Sequence, residues 1–164
     1  VIEFDNFKKA TERLLKQAKD LPGGVRRQAG LTAADLYGKI VSRTPYNVKG
    51  TDYEFSGNAQ QSWYIDVGAG SGDDLLNIEV FGGGVETDRT GSSPISYHAA
   101  RSEARSAIGD LYYLEGAKIQ FVSDIEYMAD LEDGYSNQAP DGFIRLAAHD
   151  AVDELRAKIE RGRG

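Results

Sequence analysis

Apolar positions recur along the chain at two periods, and those periods divide it into elements. Phe7, Ala10 or Thr11, Leu14, Ala18 and Leu21 follow three- and four-residue spacing, which predicts a helix over residues 4–21. Asp5 can cap this helix and Pro22-Gly23-Gly24 stops it. Ala29, Ala33, Leu36, Tyr37, Ile40 and Val41 form the stripe of a second helix over 25–43, which Thr44-Pro45 ends. Gly30 and Gly38 weaken that pattern, because each costs about 1 kcal/mol relative to Ala inside a helix. A polar stretch, 45–62, then reads as a long loop, and loops of that length are often functional.

The period changes to two at Trp63. Residues 63–67 and 75–81 are rich in aromatic and aliphatic side chains, and Gly68 to Asp74 separates them, so the pair reads as a hairpin. In the second strand Leu76, Ile78 and Val80 point one way and Asn77, Glu79 and Phe81 the other. A glycine-rich loop, 82–91, follows. Ser92 or Ser93 is then placed to cap a third helix with Pro94 at its first position, where the missing amide costs nothing. Tyr97, Ala100, Ala104, Ile108 and Leu111 share a face of that helix, which is expected to run to about Leu114. Ile119, Phe121 and Ile125 predict a third strand. The last helix, 143–161, keeps the helical rhythm through Ile144, Ala148, Ala151, Val152, Leu155 and Ile159.

The order helix, helix, strand, strand, helix, strand, helix predicts an α+β fold, with a small antiparallel sheet of about three to four strands packed with about four helices. The length of 164 residues favours a single domain over 1–164 and allows a core without staples. No cysteine is present, which excludes disulfides and thiolate metal sites. No apolar run approaches the roughly 18 residues a membrane helix needs. Val1 to Lys19 is charged and amphipathic, without a signal pattern, so the expectation is a soluble globular protein made inside the cell, with no membrane partner.

The net charge of −7 is unevenly spread. Residues 1–50 carry ten Lys/Arg against five Asp/Glu, residues 51–136 four against 16, and residues 137–164 five of each. An acidic middle argues against a nucleic-acid-binding module, which needs a basic patch with interleaved aromatics. It fits either a solvated face or a surface that lets DNA pass without sticking.

Candidate chemistry is sparse. His98 and His149 are the only histidines, too few for a zinc site without cysteine, so no metal and no cofactor are expected. Glu126, Asp130, Glu132 and Asp133 cluster, but acidic runs are mostly solvated surface. The serines lie in no nucleophile-elbow pattern. Gly68 to Gly72 lacks the Lys-Ser/Thr pair of a phosphate loop and precedes Asp73-Asp74, which repel phosphate. No nucleophile, phosphate-loop or metal pattern emerges from these residues, and paired carboxylates stay open.

The segment Tyr127 to Ala148 carries the most specific signal. Tyr127 and Leu131 share one face of a helical turn, and Gly134 suits its end. Pro140 prevents continuation and restricts Ala139, and Asp141 is placed to cap the last helix. Leu131, Glu132, Gly134, Ser136, Gln138, Ala139, Pro140 and Gly142 resemble the LExGxSxQAPxG segment of the tail-completion, or neck, proteins of long-tailed bacteriophages. Thr44-Pro45 together with Gly57, Ser62 and Trp63 is similar to a second stretch of that family, TPVDTGxLxxSW, although Asn47 to Glu54 stands as an insertion where the family has a short turn. The helix SYHAARSEARSAIGDL is also similar to one the family places between sheet strands.

The resemblance implies a non-enzymatic virion subunit, assembled in the host cytoplasm, that forms a ring, usually a hexamer, at the head–tail junction. Such a ring joins the portal-side connector proteins to the tail tube or tail terminator and leaves a channel for DNA passage and ejection without specific binding. Tail-terminator rings have related architecture and are the alternative; a small acidic enzyme or binding module is a further one. On this reading Trp63, Tyr127, Glu132, Tyr135, Ser136, Gln138 and Pro140 are interface candidates. Trp63 reads first as a core anchor, with the interface role as its alternative, and Glu132 equally meets an arginine of the next subunit or caps a local amide. Asp66, Asp73, Asp74, Glu79, Glu86 and Asp88 are the channel-facing candidates.

Overall fold

The α2 helix, Gly24–Arg43, is buried almost continuously from Gln28 to Val41. A one-sided apolar stripe does not describe a helix covered on nearly every side. In the computed structural model, which describes residues 5–21, 23–45, 60, 62–68, 77–82, 94–109, 118–123, 128, 132–133 and 142–163, α2 is the central element. It packs against α1 (Asp5–Gln17), α3 (Tyr97–Ile108) and α4 (Ile144–Arg163). Its Tyr37 ring meets Phe121 of the sheet edge-on, with centroids 5.2 Å apart. A single buried cluster joins residues of all four helices to Trp63, Ile119 and Phe121. Among the described residues the class is therefore α+β with four α-helices of more than ten residues, as the periodicity predicted.

Gly38 explains one of the glycines in the α2 pattern. A Cβ there would stand 2.9 Å from the Tyr97 ring, so the missing side chain lets α2 and α3 approach. The helix ends as expected at Thr44, which is extended ahead of Pro45. Thr44 also returns its hydroxyl to the Ile40 carbonyl at 2.7 Å. The first helix closes through a 3₁₀ turn, Ala18–Asp20, before the Pro-Gly-Gly break.

The sheet departs from expectation. Strands β1 (Trp63–Gly68), β2 (Asn77–Gly82) and β3 (Lys118–Ser123) lie in the order β1-β3-β2. The expected hairpin of 63–67 with 75–81 does not form, because β3 lies between those strands. β3 is antiparallel to β1, pairing Trp63 with Ser123 and Gly68 with Lys118. It is parallel to β2, pairing Asn77 with Lys118 and Gly82 with Ser123. Among the described residues the antiparallel part is thus two strands, fewer than the three to four expected, and the sheet is mixed. A parallel pair needs a crossover of a dozen or more residues, and the segment containing α3 supplies it. Along β1, Trp63 is buried while Tyr64 and Asp66 are exposed, so one face of the strand meets the helices.

The start of α3 also differs. Ser96 is its cap, accepting from the Ala99 amide at 3.1 Å, in place of Ser92 or Ser93, which lie outside the described residues. Pro94 precedes the helix. Gln60 gives the reason: its Oε1 accepts from the Ile95 amide at 2.6 Å, and its Nε2 donates to the Ile95 carbonyl at 3.3 Å and to Val41 at 3.1 Å. Both backbone groups of Ile95 are therefore taken by one side chain, and the helix starts after it. The expected extension to Leu114 lies outside the described residues. Among the described residues no helix is long and apolar enough to cross a membrane.

Candidate functional site

Two polar constructions stand out against the apolar core. The first is at the N-terminus of α4. Glu132 is only 4% exposed. Its Oε2 accepts from the amides of Phe143 at 3.0 Å and Ile144 at 2.7 Å, and its Oε1 accepts from the Arg145 amide at 3.1 Å. The Arg145 guanidinium adds a contact at 3.2 Å to the same oxygen. A helix start leaves its first amides without partners and carries a partial positive charge, so a carboxylate is the matching group. Gly142 makes the approach possible. Its φ is +82°, and a Cβ there would stand 2.5 Å from the Glu132 carbonyl oxygen. Of the two roles foreseen for Glu132, the local cap is the one found. The other expected cap of this helix, Asp141, lies outside the described residues.

The second construction is a cleft of about 420 Å³ between α2, α3 and α4. Asp35 and Lys39 sit one helical turn apart on α2 and are 9% and 7% exposed. Lys39 Nζ donates to both Asp35 oxygens at 2.8 Å and to Glu154 Oε1 on α4 at 2.9 Å. It also lies 5.1 Å from the Tyr97 ring centroid, within cation–π range. The Tyr97 hydroxyl donates to Asp35 Oδ1. Burial and that bond to a carboxylate push the Tyr97 phenol far above its ordinary range. On the α4 side, Lys158 donates to Gln28 Oε1 at 3.2 Å. Its ammonium is held below the ordinary lysine value by burial, with Arg101 and Arg161 adding repulsion that Asp35 and Glu154 partly offset.

Sequence reading passed over this cleft. Asp35 and Lys39 at i and i+4 inside an apolar stripe were the available signal, since isolated charges are rarely buried unless paired.

The candidates named from sequence scatter. Trp63 is 4% exposed and donates its indole N–H to Thr44 Oγ1 at 2.8 Å, which joins the two ends of the 44–63 segment. Beside it, the Ser62 and Ser123 hydroxyls are 2.7 Å apart across the β1–β3 pair. Asp66 is exposed on β1. Glu79 belongs to β2. Tyr127, Tyr135, Ser136, Gln138 and Pro140 lie outside the described residues, as do Asp73, Asp74, Glu86 and Asp88.

His149, Asp150 and Asp153 bring ligand-type atoms within 4.8 Å of one another on α4. Arg43 holds Asp150 at 2.6 Å and Arg156 holds Asp153 at 3.0 Å, so this surface trio is an ion-pair network.

Comparisons with protein-family models, with curated proteins and with solved structures found no match to this chain.

Proposed function

We propose that this chain is a structural subunit of a tailed-bacteriophage neck, forming a ring that joins the head connector to the tail and leaves a channel for DNA. The observation that carries the reading is the Glu132 cap. The segment from Leu131 to Gly142 supplies the resemblance, and its two ends are joined by Glu132 contacting the residues that follow Gly142. That gives the glutamate and the glycine physical reasons to occur at this spacing. The Thr44–Trp63 bond does the same for the ends of the other similar stretch, so that the insertion between them leaves the junction closed.

In this reading the loop 133–141 is anchored at both ends and presents Ser136, Gln138 and Pro140 to a neighbour or a connector protein. Part of the acidic set from Asp66 to Asp88 faces the lumen, where carboxylates repel the DNA backbone over a Debye length of roughly 8 Å. A closed ring needs two different patches on each subunit. The tail-terminator ring is the second reading, since it shares the architecture.

The test is electron microscopy of the purified chain, alone and mixed with any head-connector proteins that its neighbouring genes encode. Rings with an axial channel, seated on the connector, are the expected result. Gln138→Ala with Pro140→Ala should leave the subunit folded and reduce joining. A chain that stays monomeric and unattached in both preparations would remove the neck reading.

A further inference from the structure

The cleft between α2, α3 and α4 contains more positive charge than its own carboxylates balance. Asp35 and Glu154 are both drawn to Lys39. Arg101 from α3 and Lys158 and Arg161 from α4 line the same cavity, and among the described residues no carboxylate stands within ion-pair distance of any of the three. Three cations around one partly dry space repel each other, and the lowered affinity of Lys158 for its proton reflects burial together with that repulsion. The lining is also partly apolar, with Leu31, Ala151 and Leu155 contributing. A cavity of about 420 Å³ lies within the size range of small-ligand sites.

We propose that this cleft binds an organic carboxylate, with the guanidinium of Arg101 and the ammonium of Lys158 on the carboxylate group and the apolar wall against its carbon chain. A planar guanidinium matches a carboxylate with two parallel hydrogen bonds. Inorganic phosphate would meet the cations but leave the apolar wall uncovered. The carboxylate has two chemical sources, a free small acid or an acidic side chain of a polypeptide, and both present the same group. This inference does not depend on ring assembly, since the cleft lies within one subunit.

The experiment is calorimetric titration of the purified full chain with glutarate, with the capped tripeptide acetyl-Ala-Glu-Ala-amide, and with inorganic phosphate. Saturable binding of glutarate or the peptide with a Kd below about 1 mM is expected, with phosphate weaker by tenfold or more. Tighter glutarate assigns the free acid as the source; a tighter peptide assigns the polypeptide. Arg101→Gln and Lys158→Gln should each weaken binding by about tenfold or more. Arg161→Gln, at an exposed position, tests the same cluster without disturbing the core and should weaken it by less. Absence of saturable binding up to about 10 mM, phosphate binding as tight as either carboxylate, or affinities unchanged in all three folded variants would each overturn the proposal.

Discussion

Glu132 and Ile144, twelve positions apart in sequence, meet through a 2.7 Å bond between a buried carboxylate and a helix-terminal amide. This is the shortest of three such bonds from one side chain, and it fixes where α4 begins. Glu132→Ala leaves three amides at the helix start without that acceptor. The expected loss is about 2–3 kcal/mol, combining a lost cap with buried donors left unmatched. In a chain of this size that lowers Tm by roughly 5–10 °C in circular-dichroism melts. Gly142→Ala should cost more than about 1 kcal/mol, because Ala is strained at positive φ and its Cβ would meet the Glu132 carbonyl. Melting curves for both variants that overlay the parent would refute the cap's importance.

Lys39 is expected to be the most sensitive single position in the cleft. Lys39→Met removes the cation from a buried Asp35, and breaking a buried pair in this way costs about 3–5 kcal/mol. Replacing both residues, Lys39→Met with Asp35→Leu, removes the orphaned charge as well and should recover much of that loss. Urea unfolding of the two single variants and the double variant forms a complete cycle. Additive effects would mean that the two side chains do not act as a pair.

Gln60 joins three segments through one amide group. Gln60→Leu keeps an apolar side chain of similar length but abandons the Ile95 amide and the Val41 carbonyl. A loss of about 2–3 kcal/mol is expected, with faster hydrogen exchange at the Ile95 amide. Unchanged exchange there would show that the amide finds another acceptor.

The pH dependence of Lys158 has a definite sign. Its proton is held more weakly in the folded chain than at the ordinary value of 10.5. Between the two values the unfolded chain binds more protons, so stability rises with pH across that window. At neutral pH the charged group opposes folding. Lys158→Met should therefore raise Tm at pH 7, and the gain should shrink as pH climbs towards 10.5. A gain independent of pH would assign the effect to packing instead.

The helices were legible because their information is local. Three- and four-residue spacing located α2 and α4 to within two residues at each end, and Thr44-Pro45 marked the α2 terminus. The strands were legible as strands, since β1 and β3 alternate, but their partners were not. Pairing is set by distant chain, and nothing near Trp63 says that its neighbour is Ser123 and not a residue of the next strand. The Ser96 start of α3 was missed for the same reason, because the deciding group is Gln60, 35 residues away from Ile95. Glu132 was legible as important but open between two roles until α4 was seen above it. The cleft was hidden because Arg101, Asp35 and Lys158 come from three separate helices, and even the Asp35–Lys39 spacing does not say that the other two stand beside it.

The central place of β3 in the sheet sets an order on the birth of the molecule. As the chain leaves the ribosome, β1 and then β2 emerge with no partner among themselves, and both wait for residues 118–123. The nascent polypeptide thus carries two unsatisfied strand edges across more than 30 residues of further synthesis, at roughly 5–20 residues per second. Until β3 arrives, neither strand has the neighbour that the finished sheet gives it, and exposed edges of that kind are where nascent chains associate wrongly.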